Sequence, residues 1–206
     1  MRLFFAITLP ETVTKALTDL QWRVRFQLKR GNYTQPDNFH ITVAFLGEQP
    51  DDVPDLLIPP LNALAKYTSP FSLTLDGMGR FGYGNPFRAL WMGVQGERTR
   101  LNYLQETVSM ICEVLGYPTE ERHYRPHVTL VRHAVFPPNT EEVMTWTIPR
   151  NKATFKVNHF VLMESVTQHG RVVYRPVHTF HFGLPESARI LMPGPTINAG
   201  TDERDV

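Results

Sequence analysis

The chain has 206 residues, of which 42% are hydrophobic and 20% charged, and its formal net charge is +1. That length holds one domain or two closely packed lobes, and the near-neutral balance calls for no long polyanion wrapped over the whole surface while leaving room for a local basic patch. A single cysteine, Cys112, excludes an intrachain disulfide framework and a multi-cysteine zinc site. It sits in LQETVSMICEVLG, an apolar helical pattern, and is expected to be a buried core thiol in a reducing compartment.

The opening stretch RLFFAITL is apolar and β-favouring and stops at Pro10. It lacks the layout of a signal peptide, and no apolar run approaches the ~20 residues that span a bilayer, so a soluble, cytoplasmic protein without membrane contact is expected. Val13, Leu17, Leu20, Val24 and Leu28 recur at helical spacing after Pro10. Gly31-Asn32 and Gln35-Pro36-Asp37-Asn38 are turn-rich and lead into a strand over 39–46. Pro50, Pro54, Pro59 and Pro60 predict a loop followed by a short helix around 60–67. FSLTLDGMG and RALWMGVQ, joined through FGYGNPF, predict a hairpin over 71–95, and Leu101, Leu104, Val108, Ile111 and Leu115 predict a helix over about 99–115 that Gly116 ends. A further strand begins at His127, and FPPN breaks the chain at 136–139. ATFKVNHFVLMES and RVVYRPVHTFHFG predict two long strands turned through Gln168-His169-Gly170. Residues 184–206 are expected to form a mobile tail with a short docking segment at Ile190-Leu191-Met192.

These elements favour an α+β fold with largely antiparallel sheets over a doubly wound parallel one. The chemistry concentrates in a pattern that occurs twice, HITVAFLG from His40 and HVTLVRHA from His127. In a strand, residues two apart share a face, so each copy presents an imidazole with a hydroxyl beside it: His40 with Thr42, and His127 with Thr129. A single His-x-Thr triplet carries little information, but two copies in matching contexts point to paired acid–base groups. Histidine suits both roles near pH 7, and the threonine hydroxyls suit hydrogen bonding to phosphate oxygens. Two lobes, each with a helix and a His-x-Thr strand, are therefore expected to face one another across a central cleft, with the helices outside. The near-symmetry of the two copies leaves acid and base interchangeable.

Three segments in this order, RLFFAITLP, NFHITVAFLGE and RPHVTLVR, make the chain resemble the two-histidine (2H) phosphoesterase superfamily. Within it, the pattern is most similar to the bacterial and archaeal RNA 2′,3′-cyclic phosphodiesterases, formerly described as 2′-5′ RNA ligases. The resemblance covers about residues 1–183, expected as one bilobal domain, with 153–182 as its final strand pair. It implies metal-independent hydrolysis of a terminal 2′,3′-cyclic phosphate to a 2′-phosphomonoester, with no cofactor. It further implies a monomer acting on RNA ends, tRNA fragments among them. By the same resemblance His40 is the proton donor and His127 the proton acceptor. Arg132 matches a phosphate-binding arginine, and Phe4 is expected at the cleft, where it stacks a base or simply packs in the core. Regular strand parity turns Arg132 away from His127 and Thr129, so phosphate contact requires a bulge or a strand end.

Tyr124 and Arg125 are expected at the rim. His178 and His181 face opposite sides of a strand and make a poor metal pair, and His123, His133, His159 and His169 show no ligand spacing. GRFGYGNPF lacks the GxxxxGK[ST] pattern of a triphosphate loop, and no G-x-S-x-G is present. The competing readings are 2′-5′ RNA ligation or cleavage, a non-catalytic RNA-end binding module, and hydrolysis of small cyclic nucleotides.

Overall fold

The computed structural model describes residues 1–82, 86–120, 123–137, 144–146 and 148–184. In chain order the elements are β1 (Arg2–Thr8), α1 (Glu11–Arg25), β2 (Arg30–Tyr33), a 3-10 turn (Pro36–Asn38) and β3 (His40–Glu48). Then come α2 (Val53–Lys66), β4 (Phe71–Phe81), β5 (Phe87–Gly96), α3 (Arg98–Val114) and β6 (His127–Val135). The series ends with α4 (Arg150–Ala153), β7 (Thr154–Val157), β8 (His159–Gln168) and β9 (Arg171–His181). The strands form two sheets, β3-β1-β8-β9 and β2-β6-β5-β4-β7, with antiparallel pairing throughout. The α+β architecture with two lobes is thus as the sequence predicts.

The helices cross over between lobes. α1 follows a strand of the first sheet yet packs on β6 of the second, where Gln21 Nε2 donates to the carbonyls of Thr34 and Leu130. Conversely, α3 follows β5 of the second sheet and packs on β3 of the first, beside α2, which covers β9. This exchange ties the lobes into one hydrophobic core, running from Leu3, Phe5 and Ile7 to Leu90, Val128 and Leu130. A second, smaller cluster of Phe4, Ala6, Val161 and Met163 lies on the opposite face of the first sheet, with Tyr174 packed against it.

Three local expectations need correction. The proline loop is instead the first half of α2, which carries Pro59 and Pro60 inside it. Val53, Leu57, Leu61 and Ala65 form a buried stripe at helical spacing, and its burial outweighs the two missing backbone donors. Gly31-Asn32 is not a turn but the middle of β2, an edge strand paired with β6; Gly31 faces inward, where a Cβ would come within 2.5 Å of Val131 Cγ1. The long strand expected over ATFKVNHFVLMES is two strands, because the chain changes sheets at Asn158. The alternating burial of β7 gives way there to the continuous burial of Phe160–Met163, as befits a central strand covered on both faces.

Other expectations hold. β8 and β9 turn through His169 and Gly170, both at positive φ (50° and 73°), as a type I′ hairpin requires. Gly116 ends α3 at φ 85°, its N–H donating to Glu113 O while that of Tyr117 reaches Cys112 O. Cys112 is fully buried, and burial pushes its thiol up to about 12. Leu184 N–H donates to Thr68 O, and the remainder of the expected tail, including 190–192, lies outside the described residues.

Candidate active site

The two His-x-Thr strands share more than their sequence. From the histidine onward, β3 and β6 have the same run of burial over six positions, ending in an exposed residue. Both strands are bulged at the same offset. In β3, Thr42 pairs with Ala6 but Ala44 pairs with Phe5, so Val43 is an extra residue. In β6, Thr129 pairs with Trp91 but Val131 pairs with Leu90, so Leu130 is extra. Each bulge places two consecutive apolar residues in the core and reverses the parity of the residues beyond it. Phe45 therefore lies opposite Phe4, on the His40 side of the first sheet. Arg132 lies opposite Ala89, two residues along β5 from Trp91, and so shares a face with His127 and Thr129. The bulge removes the parity objection to Arg132.

Each imidazole is oriented in the same way. His40 Nδ1 lies 2.8 Å from Asn38 O, and His127 Nδ1 lies 2.7 Å from Arg125 O. A carbonyl only accepts, so both Nδ1 atoms carry hydrogen and both Nε2 atoms are left for chemistry. Thr42 Oγ1 is 3.1 Å from His40 Nε2. Aromatic rings hold each imidazole. His40 lies 5.1 Å from the Phe4 ring and 5.1 Å, edge-on, from Tyr174. His127 lies 4.9 Å, edge-on, from Phe81 and 5.8 Å from Trp91. Tyr124 joins the motifs, its phenol donating to Thr42 O at 3.0 Å from the segment just before His127. Burial pushes that phenol well above its ordinary range.

Phe4 lies at the cleft, but only 2% of it is exposed, because His40, Phe45 and Tyr174 cover it. It supports His40. The aromatic surface open to a ligand belongs to Phe45, 40% exposed, and to the half-buried Tyr174. A hollow of ≈ 310 Å³ opens beside His40, lined among others by Thr8, Glu11, Asp37, Asn38, Met163 and Tyr174. The carbonyls of Asn38 and Arg125 and the rings of Phe81, Trp91 and Tyr174 were not apparent from the motifs alone. Among the described residues, no cluster of three or more His, Cys, Asp or Glu side chains is arranged to hold a metal ion. His178 meets Asn62, and His181 lies beside His159. The tip of the glycine-rich turn, residues 83–85, lies outside the described residues.

Burial pushes the His40 imidazole down to about 4, with the positive fields of His127 and Arg132 adding to the effect and the Asn38 carbonyl opposing it. Burial also lowers His127, helped by Arg132 and Arg125 and opposed by the Arg125 carbonyl. Between pH 6.5 and about 4 the unfolded chain thus binds a proton at His40 that the folded chain refuses, and His127 acts in the same direction. Stability rises with pH through that window and is lost as pH falls. The full His40 contribution is on the order of 3 kcal/mol, so the melting temperature at pH 5 should lie about 5 °C below that at pH 7. In thermal melts a His40→Gln variant should show a smaller difference; an equal one would remove His40 as the cause.

The chain compares closely with known proteins. The family described as the 2′-5′ RNA ligase superfamily matches residues 7–169. The RNA 2′,3′-cyclic phosphodiesterase of Escherichia coli is 31% identical over 179 residues, covering 85% of this chain and 93% of that protein. The enzyme of the same name from Geobacillus stearothermophilus is 31% identical over 163 residues, but the chain spans only 50% of its length. The crystal structure of E. coli LigT complexed with 3′-AMP superposes with a TM-score of 0.73 at 28% identity, covering 89% of this chain and 98% of LigT. A crystal structure from Thermus thermophilus superposes equally well, with a TM-score of 0.73 and the same coverage. Sequence match, bilobal fold and duplicated histidine strands agree: the chain belongs to the 2′-5′ RNA ligase superfamily.

Proposed function

We infer that the protein hydrolyses the 2′,3′-cyclic phosphate at an RNA end, leaving a 2′-phosphomonoester. The observation that carries this is the pair of mirrored, bulged strands, which leave two imidazole Nε2 atoms and one guanidinium for a single phosphate. In this reading His127 Nε2 takes a proton from water as the water oxygen bonds to phosphorus. The bond from phosphorus to the ribose 3′ oxygen breaks, and protonated His40 gives its Nε2 proton to that oxygen. Thr42, Thr129 and Arg132 donate to the non-bridging oxygens, where negative charge accumulates.

The assignment of donor and acceptor has a structural rationale. The ribose leaves on the donor's side, and the hollow with room for a nucleoside lies beside His40. Tyr174 offers a base a stacking surface there, with Phe4 behind it. His40 is neutral in the free protein, so its working proton arrives with the anionic substrate, whose charge raises the imidazole. All groups come from one chain, consistent with a monomer, and tRNA fragments are among the RNA ends that fit. No described helix is long and apolar enough to cross a membrane. The lone buried Cys112 suits the cytoplasm.

The test is to incubate the purified protein, with a chelator present, with an RNA ending in a 2′,3′-cyclic phosphate. The expected product is the 2′-phosphate. A 3′-phosphate would reverse the leaving group, and no product would reject the hydrolase reading.

A further inference from the structure

The segment QWRVRFQLKRGNY, residues 21–33, is chemically unlike the rest of this near-neutral chain. Between Leu20 and Pro36 it carries Arg23, Arg25, Lys29 and Arg30 and no acidic residue. Its aromatics lie at the surface, with Trp22 58% and Phe26 76% exposed and packed edge to face at 5.6 Å. The Arg25 guanidinium lies 5.6 Å from the Trp22 ring and 5.2 Å from that of Tyr33, joining helix α1 to strand β2. The ion pairs of Met1 with Asp51 and of Arg100 with Glu97 lie elsewhere and do not engage these cations.

An ordinary explanation covers part of this. Arg23 and Arg25 sit in the last turn of α1, where cations offset the helix dipole, and Arg23 packs on Trp146 at 4.5 Å. It does not cover Lys29 and Arg30, which lie beyond the helix, or two large aromatics left in water. The placement also matters. Gly31 faces the core, so its neighbours Arg30 and Asn32 project to the open face. Asn32 pairs directly with Arg132, which faces the cleft. A cationic path therefore leads from the phosphate position over the β2 edge to the aromatic pair on α1.

We propose that this surface, formed by Trp22, Arg25, Phe26, Lys29 and Arg30, binds the single-stranded body of the substrate RNA on the 5′ side of its cyclic end. The proposal rests on the reading of RNA ends as substrate. Alternating cations and exposed aromatic planes suit a single strand, whose phosphates meet the cations while its bases stack. A lipid surface also takes cations together with Trp and Phe, but the link through Asn32 to Arg132 ties this surface to the phosphate position and so to the substrate's own chain.

The test compares two substrates, a 2′,3′-cyclic mononucleotide and an oligoribonucleotide of about eight residues ending in the cyclic phosphate. Direct binding of the labelled oligonucleotide with a 2′-phosphate end is followed by fluorescence anisotropy. The double variant Lys29→Gln with Arg30→Gln should weaken oligonucleotide binding and lower the slope of log affinity against log salt by about 1.4, at about 0.7 per lost phosphate contact. Trp22→Ala with Phe26→Ala should weaken binding by about thirtyfold or more with the slope unchanged. Both should raise KM for the oligonucleotide and leave mononucleotide hydrolysis as in the unsubstituted protein. Unchanged oligonucleotide binding in both variants would overturn the proposal, as would equal loss on both substrates. So would variant-sensitive binding to phosphatidylserine vesicles without RNA binding. If the unsubstituted protein hydrolyses neither substrate, the proposed reaction falls, while the anisotropy measurements still decide whether this surface holds RNA.

Discussion

Replacing either His40 or His127 by alanine is expected to lower kcat for hydrolysis of a 2′,3′-cyclic phosphate by about 10²–10⁴-fold, the usual range for loss of a positioned acid or base. Water attack and departure of the ribose oxygen belong to one displacement at phosphorus, so each histidine depends on the other. The double variant should be only slightly worse than either single one, since groups that act as a unit do not contribute additively. Stability should change little near pH 7. The imidazoles there make only neutral hydrogen bonds, His40 to Asn38 O and Thr42 Oγ1 and His127 to Arg125 O, each worth about 1 kcal/mol. Towards pH 5, His40→Ala should gain on the unsubstituted protein, because it no longer holds a histidine that resists protonation. Product release from purified, folded variants, followed by chromatography, decides the matter. More than a tenth of normal activity in either single variant would rule out the assigned roles.

The sequence made the two histidine strands legible because a period of two is simple and both copies keep it from His40 to Thr42 and from His127 to Thr129. The residues after each threonine were harder to read. Val43-Ala44 and Leu130-Val131 break the alternation at the same offset in both copies, and those paired apolar residues mark the bulges. Taken singly they look like ordinary strand residues; taken together they turn Phe45 and Arg132 into the cleft. The rings around the imidazoles carried no local signal. Phe81, Trp91 and Tyr174 belong to strands distant in sequence, and cross-strand register alone decides what they meet. The same limit applies to Asn158, where the choice between two sheets is a tertiary matter. In α2, local proline rules misled, because the buried stripe from Val53 to Ala65 was the stronger term.

The bulge at Leu130 gives Arg132 a large expected effect of its own. Arg132 depresses both histidines, which places its charge near each of them and near any phosphate held between them. As phosphorus is attacked, negative charge grows on the non-bridging oxygens, and a fixed cation stabilises that state more than the ground state. Arg132→Ala should therefore lower kcat/KM by about 10²–10³-fold, the loss seen when one preorganised donor to a developing oxyanion is removed. Arg132→Lys keeps the charge but not the planar two-pronged donor, and should fall in between. A second readout separates this role from mere loss of structure. Without the neighbouring positive field both imidazoles bind protons more readily, so the pH profile of kcat/KM should move to higher pH in Arg132→Ala and stay nearly in place in Arg132→Lys. A solvated surface arginine would leave both rate and profile within about twofold of the unsubstituted protein, since exposed charges contribute little. That outcome would detach Arg132 from the phosphate and leave the paired threonines as its only donors.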